Sequence, residues 1–221
     1  MMILGIIDSS VLISTIDNTL QLAVMVGCGI YSAVLFLRRR EQVWFLLTCF
    51  YGAFALGLIY WILFLVFQLD TPKLSIVSDL SWLASVLFLL VLQTTICLPE
   101  ERAYRPLWAW VIPVFCTVMC LYFFQWGDYF LNIMWEMLLG LCGYRALRGL
   151  LFARRQRSAV ACNHSYFHLA VLAFVLLENG LWFASCDWKG ETLLNPYFWF
   201  DFLLSATFFT FLPALKKAVT T

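Results

Sequence analysis

Read from the N-terminus, the chain alternates long apolar runs with short polar breaks, and the runs set its architecture. An α-helix needs about 20 consecutive, mostly apolar residues to cross the hydrocarbon core of a bilayer. Runs of that kind cover Asn18–Leu37, Val43–Phe67, Asp79–Leu98, Leu107–Phe124, Tyr129–Phe152, His164–Ser185 and Pro196–Leu215. Each gap between them holds charge, proline or glycine, the residues that punctuate regular structure. The pattern predicts an all-α integral membrane protein, a seven-transmembrane-helix bundle forming a single membrane domain over residues 1–221. Residues 1–17 begin apolar but have no basic region and no small-residue cleavage site. They are therefore expected to lie on the outer interface and not to form a cleaved signal peptide.

Local signals refine the runs. In "LLNPYFW", Asn195 is placed to cap the seventh helix and Pro196 to occupy its first position. Pro113 and Pro213 are expected to bend the fourth and seventh helices. An internal echo pairs "GCGIYSAVLFLRRR" (Gly27–Arg40) with "LCGYRALRGLLFARR" (Leu141–Arg155), and "LGLIYW" with "ENGLWF". "SDLSWLAS" and "FWFDFLLS" each join an Asp to a Trp near an outer helix start. These echoes predict a 3+1+3 parallel pseudo-repeat, with the fourth helix as the linker between halves.

Composition agrees with lipid as the solvent. The chain is 63% hydrophobic and only 12% charged, whereas soluble domains carry about 25% charge. A net charge of +1 offers no surface for nucleic acid. The distribution of charge says more than its sum. Of 14 Lys and Arg residues, all but Lys73 and Lys189 fall on one side of the predicted bundle. Positive charge marks the cytoplasmic side, so the chain is expected in the cytoplasmic membrane as a multi-pass protein. Its N-terminus would be outside and its C-terminus cytoplasmic. The eight cysteines sit mostly within spans, with Cys186 alone on the outer side, so no disulfide framework is expected.

Against this background the polar residues inside the spans stand out. Glu136, Glu178 and Asp201 lie about 7–10 Å below the outer ends of their helices, counted at 1.5 Å per residue, and Asp79 lies at an outer helix start. A charged side chain facing lipid costs about 2.5–3.5 kcal/mol even on insertion scales, so such residues face the interior of a bundle and mark functional sites by default. Trp182 follows Glu178, and Trp82 follows Asp79, by about one helical turn, and Trp61 lies at a similar depth. An interfacial aromatic belt accounts for part of this tryptophan distribution. Carboxylates among aromatic faces are also what an amine or quaternary ammonium ligand needs. Trp135, the neighbour of Glu136, points about 100° away from it around the helix. Asn179 is placed to bridge to a neighbouring helix and Gly180 to allow a close approach.

On the basic side, "ACNHSYFH" contains both histidines, His164 and His168, with Cys162 two residues earlier. The i,i+4 spacing suits a metal, but two histidines and a thiol make only weak metal candidates, and no metal or cofactor is expected. There is no glycine-rich phosphate loop, no G-x-S-x-G and no H-E-x-x-H, and the seventh span holds no lysine for a retinal Schiff base. An enzyme is accordingly the less favoured class.

The hairpin "LGLIYWILFLVFQLDTPKLSIVSDLSWLASVLFLLVL" resembles one in small seven-helix membrane proteins of Clostridia-like bacteria, most of unknown function. More loosely, it is similar to the membrane sensor regions of bacterial signalling proteins. The matching positions are Trp61, Phe64, Pro72, Asp79, Trp82 and Leu83. The resemblance implies a sensor that signals through a partner. The expectation is a receptor- or sensor-like module binding a small cationic ligand in an outer acidic and aromatic pocket. Its ligand-binding residues would be Glu178, Glu136, Asp201, Asp79, Trp182, Trp82, Trp61 and Asn179. The alternative is a small proton- or cation-coupled transporter, and the third reading a metal-dependent membrane enzyme. The expected partners are the lipid bilayer, the cationic ligand and a separate signalling or transport subunit.

Overall fold

The computed structural model describes residues 9–68, 75–186 and 194–220. Pro72, Lys73 and Lys189, which entered the reading of the loops, lie outside them. The described residues are helical throughout, joined by short connections, with no strand among them. The helices are α1 (Ser9–Arg39), α2 (Gln42–Gln68), α3 (Ile76–Ile96), the short α4 (Pro99–Ala103), α5 (Val111–Phe123), α6 (Tyr129–Gln156), α7 (Ala159–Cys186) and α8 (Pro196–Val219).

Six of them are long and apolar enough to cross a membrane: α1, α2, α3, α7, α8, and α5 together with its flanking 3-10 turns. The chain is a multi-pass membrane protein. The 28 residues of α6 would span about 42 Å. Its Glu136, Arg145 and Arg148, however, set it apart from the six in apolarity.

The helices differ from the apolar runs at several ends, α3 starting at Ile76, α6 ending at Gln156, α7 starting at Ala159 and α8 ending at Val219. α1 begins at Ser9 and not near Asn18, because Ser14, Asp17, Asn18 and Gln21 extend the helix as a polar stripe. Glu101 lies in α4, which the runs do not reveal. Asn195 caps α8 by accepting a hydrogen bond from the Tyr197 backbone N–H at 3.0 Å, with Pro196 at the first position. Pro113 lies in the first turn of α5, preceded by a 3-10 turn at Leu107–Trp110. A proline there lacks the N–H that an α-turn would bond to Ala109, and the tighter turn covers the gap.

Packing places α1, α2, α3, α6, α7 and α8 in a closed ring, each touching the next and α8 returning to α1. α5 stands outside the ring against α6 and α7, which is why Val114, Val118 and Leu121 are exposed. Leu20, Ile30, Leu63, Val91, Leu169 and Phe209 are exposed around the ring as well. Apolar surface spread this widely fits a lipid boundary and not water.

Aromatic rings close the middle of the ring of helices. Phe50 of α2 lies 6.1 Å from Phe174 of α7 and 5.4 Å from Phe211 of α8, and Phe54 lies 4.9 Å from Phe208, centroid to centroid. Just beside them Tyr51 donates its hydroxyl to the Phe208 carbonyl at 2.7 Å, tying α2 to α8. Gln93 of α3 donates to the Cys142 carbonyl of α6 at 3.1 Å. With the centre sealed by close-packed rings, the polar residues of the bundle separate into two groups, one toward each end.

Candidate functional site

Toward the end carrying the α2–α3, α5–α6 and α7–α8 connections, the ring opens into a cavity of about 450 Å³. That volume lies within the range of small-molecule sites. All six ring helices line it. α1 gives Ser14, Asn18 and Gln21; α2 gives Phe54, Leu58 and Trp61; α3 gives Trp82 and α6 gives Trp135. α7 gives Glu178, Leu181, Trp182 and Ser185, and α8 gives Tyr197, Asp201 and Leu204. No lysine, arginine or histidine is among these residues.

The carboxylates enter from adjacent helices. Glu178 of α7 is buried, and its Oε1 makes no hydrogen bond. Asp201 of α8 is buried and accepts a hydrogen bond from Gln21 Nε2 at 2.5 Å. Asp17, one turn before Gln21 on α1, stands against Asp201 and is equally buried. Two tryptophan pairs form walls: Trp61 and Trp82, with centroids 5.9 Å apart, and Trp135 and Trp182, 6.3 Å apart. The indole N–H groups of Trp82 and Trp135 are buried without hydrogen-bond partners. Such a cavity combines carboxyl groups with aromatic faces, the pairing that suits a desolvated organic cation.

Other residues expected at this site lie elsewhere. Glu136 is buried on α6 at the junction with Cys116 of α5 and Asn179 of α7, outside the lining, and neither of its oxygens makes a hydrogen bond. Its depth matches that of Glu178, but its direction around the helix turns it toward α5. Asn179 donates to the Val175 carbonyl at 3.0 Å and approaches Cys116 Sγ at 3.9 Å, also outside the lining. Asp79 accepts from Ser75 Oγ at 2.5 Å near its own helix start and does not reach the cavity. Gly180 does permit a close approach: a Cβ there would stand 2.6 Å from Phe200 Cε1 of α8. The contributors that the apolar runs do not suggest are Asp17, Asn18, Gln21, Trp135 and Tyr197. For α1 the signal was present as a polar stripe at i, i+3, i+4 and i+7 from Ser14.

The opposite, arginine-rich end holds the second polar group. His164 and His168 are buried one turn apart on α7, and Glu101 of α4 is buried against them. Glu101 Oε2 lies 3.4 Å from His168 Nε2, and Glu101 Oε1 lies 3.6 Å from Arg148 Nη2 of α6. Burial pushes the Glu101 carboxyl up, but the neighbouring His168 and the Arg148 guanidinium outweigh it and hold the group below the usual range. Cys162 is exposed and stands apart from this cluster. All eight cysteines are free.

No protein-family model, curated protein or solved structure matches this chain.

Proposed function

We propose that this chain is a seven-span receptor- or sensor-like protein of the bacterial cytoplasmic membrane, and that its cavity binds a small organic cation such as an amine or quaternary ammonium. The observation that carries this reading is the lining: Glu178 and Asp201 beside Trp61, Trp82, Trp135 and Trp182, with no basic side chain among them. Asp17 adds a further carboxyl group behind Asp201. A cation gains both from the carboxyl groups and from the aromatic faces, whereas a neutral isostere without donors gains from neither as a charge does.

The orientation rests on the positive-inside rule, with Arg38–Arg40, Arg154, Arg155, Arg157, Lys216 and Lys217 on the cytoplasmic side. In this reading α6 is the seventh span. Glu136 is buried within the bundle, and Arg145 reaches the Leu90 carbonyl and Thr94 hydroxyl of α3. Both charges thus avoid lipid. The cavity then opens outward, as a receptor for an external solute requires.

The test uses the purified full chain in lipid nanodiscs with a series of tetraalkylammonium ions and their neutral carbon isosteres. Binding is read by tryptophan fluorescence and by thermal stabilisation. A cation of fitting size should bind, its isostere should not, and Glu178→Gln and Asp201→Asn should each weaken binding at least about tenfold, or ~1.4 kcal/mol. Equal binding of cation and isostere refutes the reading.

One observation favours a cation-coupled transporter as the second reading. Exchanging α1, α2 and α3 for α6, α7 and α8 leaves the neighbour pattern of the ring unchanged. Gly57 of α2 and Gly180 of α7 each admit an aromatic ring from the following helix, Trp82 and Phe200. This is the arrangement a 3+1+3 parallel repeat would produce. Proteoliposome flux of the bound cation that disappears in Glu178→Gln would decide for transport.

A further inference from the structure

At the arginine-rich end, Glu101, His164 and His168 present one donor atom each, all within 4.8 Å of one another, and all three side chains are buried. They come from two elements that meet only through folding: the five-residue α4 and the start of α7. This cluster is about 15 Å along α7 from Glu178 and does not depend on the cavity or its ligand.

An ordinary ion-pair network of Glu101, His168 and Arg148 is the simplest competing account. Three features go beyond it. First, a network anchored on Glu101 has no use for a second imidazole, yet His164 converges on the same point. Second, His168 Nε2 lies 3.4 Å from Glu101 Oε2, long for an N–H···O hydrogen bond, whose usual range ends at about 3.2 Å. Two ligands held at about 2.0–2.1 Å from one ion at the tetrahedral angle stand about 3.3–3.4 Å apart. The observed separation matches that spacing. Third, His168 Nε2, the ring nitrogen nearest Glu101, is buried without a hydrogen bond, and so is His164 Nδ1, which leaves a ring nitrogen on each histidine for a further partner.

The helix facing the cluster is shaped around the same ring. A Cβ at Gly149 of α6 would fall inside the His168 imidazole. A glycine in the middle of a helix is unfavourable, and here it makes room for His168 beside Glu101. The donor set selects the ion. Two imidazoles and one carboxylate suit zinc and its neighbours in the first transition row, whereas calcium and magnesium favour oxygen donors alone. Arg148 forms an ion pair with the other carboxylate oxygen at 3.6 Å, leaving Oε2 on the side of the histidines.

We propose that Glu101, His164 and His168 bind one divalent transition-metal ion of the zinc class, which clips α4 to α7 and takes water as its fourth ligand. The full chain, purified in detergent and dialysed against chelator, is titrated with Co²⁺ and Zn²⁺. One Co²⁺ per chain should bind, with the intense visible absorption of a four-coordinate ion, and Zn²⁺ should displace it and raise the unfolding temperature. His164→Gln, His168→Gln and Glu101→Gln should each weaken Co²⁺ binding at least about tenfold, in line with the losses seen when metal sites are perturbed, while Cys162→Ser leaves it unchanged. Gel filtration and circular dichroism of the metal-free variants check their fold. If a variant fails to fold, the wild-type titration decides. Absence of saturable binding near one equivalent overturns the site. So does a Co²⁺ spectrum with thiolate charge-transfer bands that Cys162→Ser removes, or a His164→Gln chain that folds and binds Co²⁺ like the wild type.

Discussion

Gly57→Ala should shift the wall of the cavity. A methyl group at this position of α2 would lie 2.5 Å from Nε1, 2.8 Å from Cδ1 and 3.0 Å from Cε2 of Trp82. Comfortable contact is about 3.5 Å, so the indole must retreat by about 1 Å. Phe54 and Trp61 hold it at centroid distances of 6.1 and 5.9 Å, and the space open to it is the cavity it lines. Overpacking of this kind costs about 1–3 kcal/mol, while replacing a helical glycine by alanine returns about 0.8–1 kcal/mol. The expected net loss is about 0–2 kcal/mol by these two terms. In a Trp82→Ala background the three nearest atoms the methyl would meet are gone, and Gly57→Ala should then stabilise by nearly the full propensity gain. A double-mutant cycle by reversible unfolding in micelles should therefore give a coupling of about 1–3 kcal/mol. Binding of the tetraalkylammonium probe should weaken about tenfold in Gly57→Ala alone, or ~1.4 kcal/mol. If Gly57→Ala stabilises both backgrounds equally, the indole does not pack on Gly57 and the wall is wrongly placed.

Gly180→Ala should destabilise by about 1–2 kcal/mol through its contact with Phe200, with Phe200→Ala relieving the loss in the same unfolding assay. Tyr51→Phe removes the hydroxyl given to the Phe208 carbonyl and should cost about 0.5–1.5 kcal/mol without changing probe affinity, because Tyr51 lies outside the cavity lining. Gly149→Ala should push the His168 ring away from Glu101 and weaken Co²⁺ binding at least about tenfold, as displaced ligands do at metal sites, measured by the same titration. Cys162, exposed at the arginine-rich end, should react with a membrane-impermeant maleimide in inverted vesicles and not in intact cells when it is the only cysteine. Reaction in intact cells would reverse the orientation.

How far the molecule can be read from its sequence differs from residue to residue, for physical reasons. The long helices are legible because lipid demands an apolar stretch of fixed length. Glu178 and Asp201 are legible because a carboxylate inside such a stretch must face inward. Depth along a helix can be counted, whereas direction around it depends on which neighbours pack where. That is why Glu136 stands at the level of Glu178 and still faces Cys116, while Trp135 beside it reaches the cavity. Asp79 has a short-range partner in Ser75 that no apolar pattern reveals. Ser14, Asp17, Asn18 and Gln21 were hidden by a different effect. Ser14 and Asp17 fall before the apolar run and Asn18 and Gln21 at its start, so the run does not show that the four share one helix face. Glu101 carried no signal, because a glutamate in a short loop ordinarily stays in water and only the docking of α4 on α6 and α7 buries it.

The aromatic centre of the bundle bears directly on the choice between receptor and transporter. Phe50, Phe174, Phe208 and Phe211 are all fully buried, and their rings meet at centroid distances of 5.4–6.2 Å. They lie between the acidic cavity and the cluster of Glu101 with the histidines. A cation moving from one end to the other would have to part these rings, which come from α2, α7 and α8, and interiors packed this tightly yield by switching arrangement and not by gradual loosening. A receptor needs no such parting, since its ligand enters and leaves by the same mouth. The two readings therefore predict opposite effects of thinning the centre. Phe50→Ala should accelerate cation flux if the rings are the closed gate of a transporter. If the cavity is a dead-end binding site, the same change should lower stability by about 3–5 kcal/mol and leave the membrane impermeable.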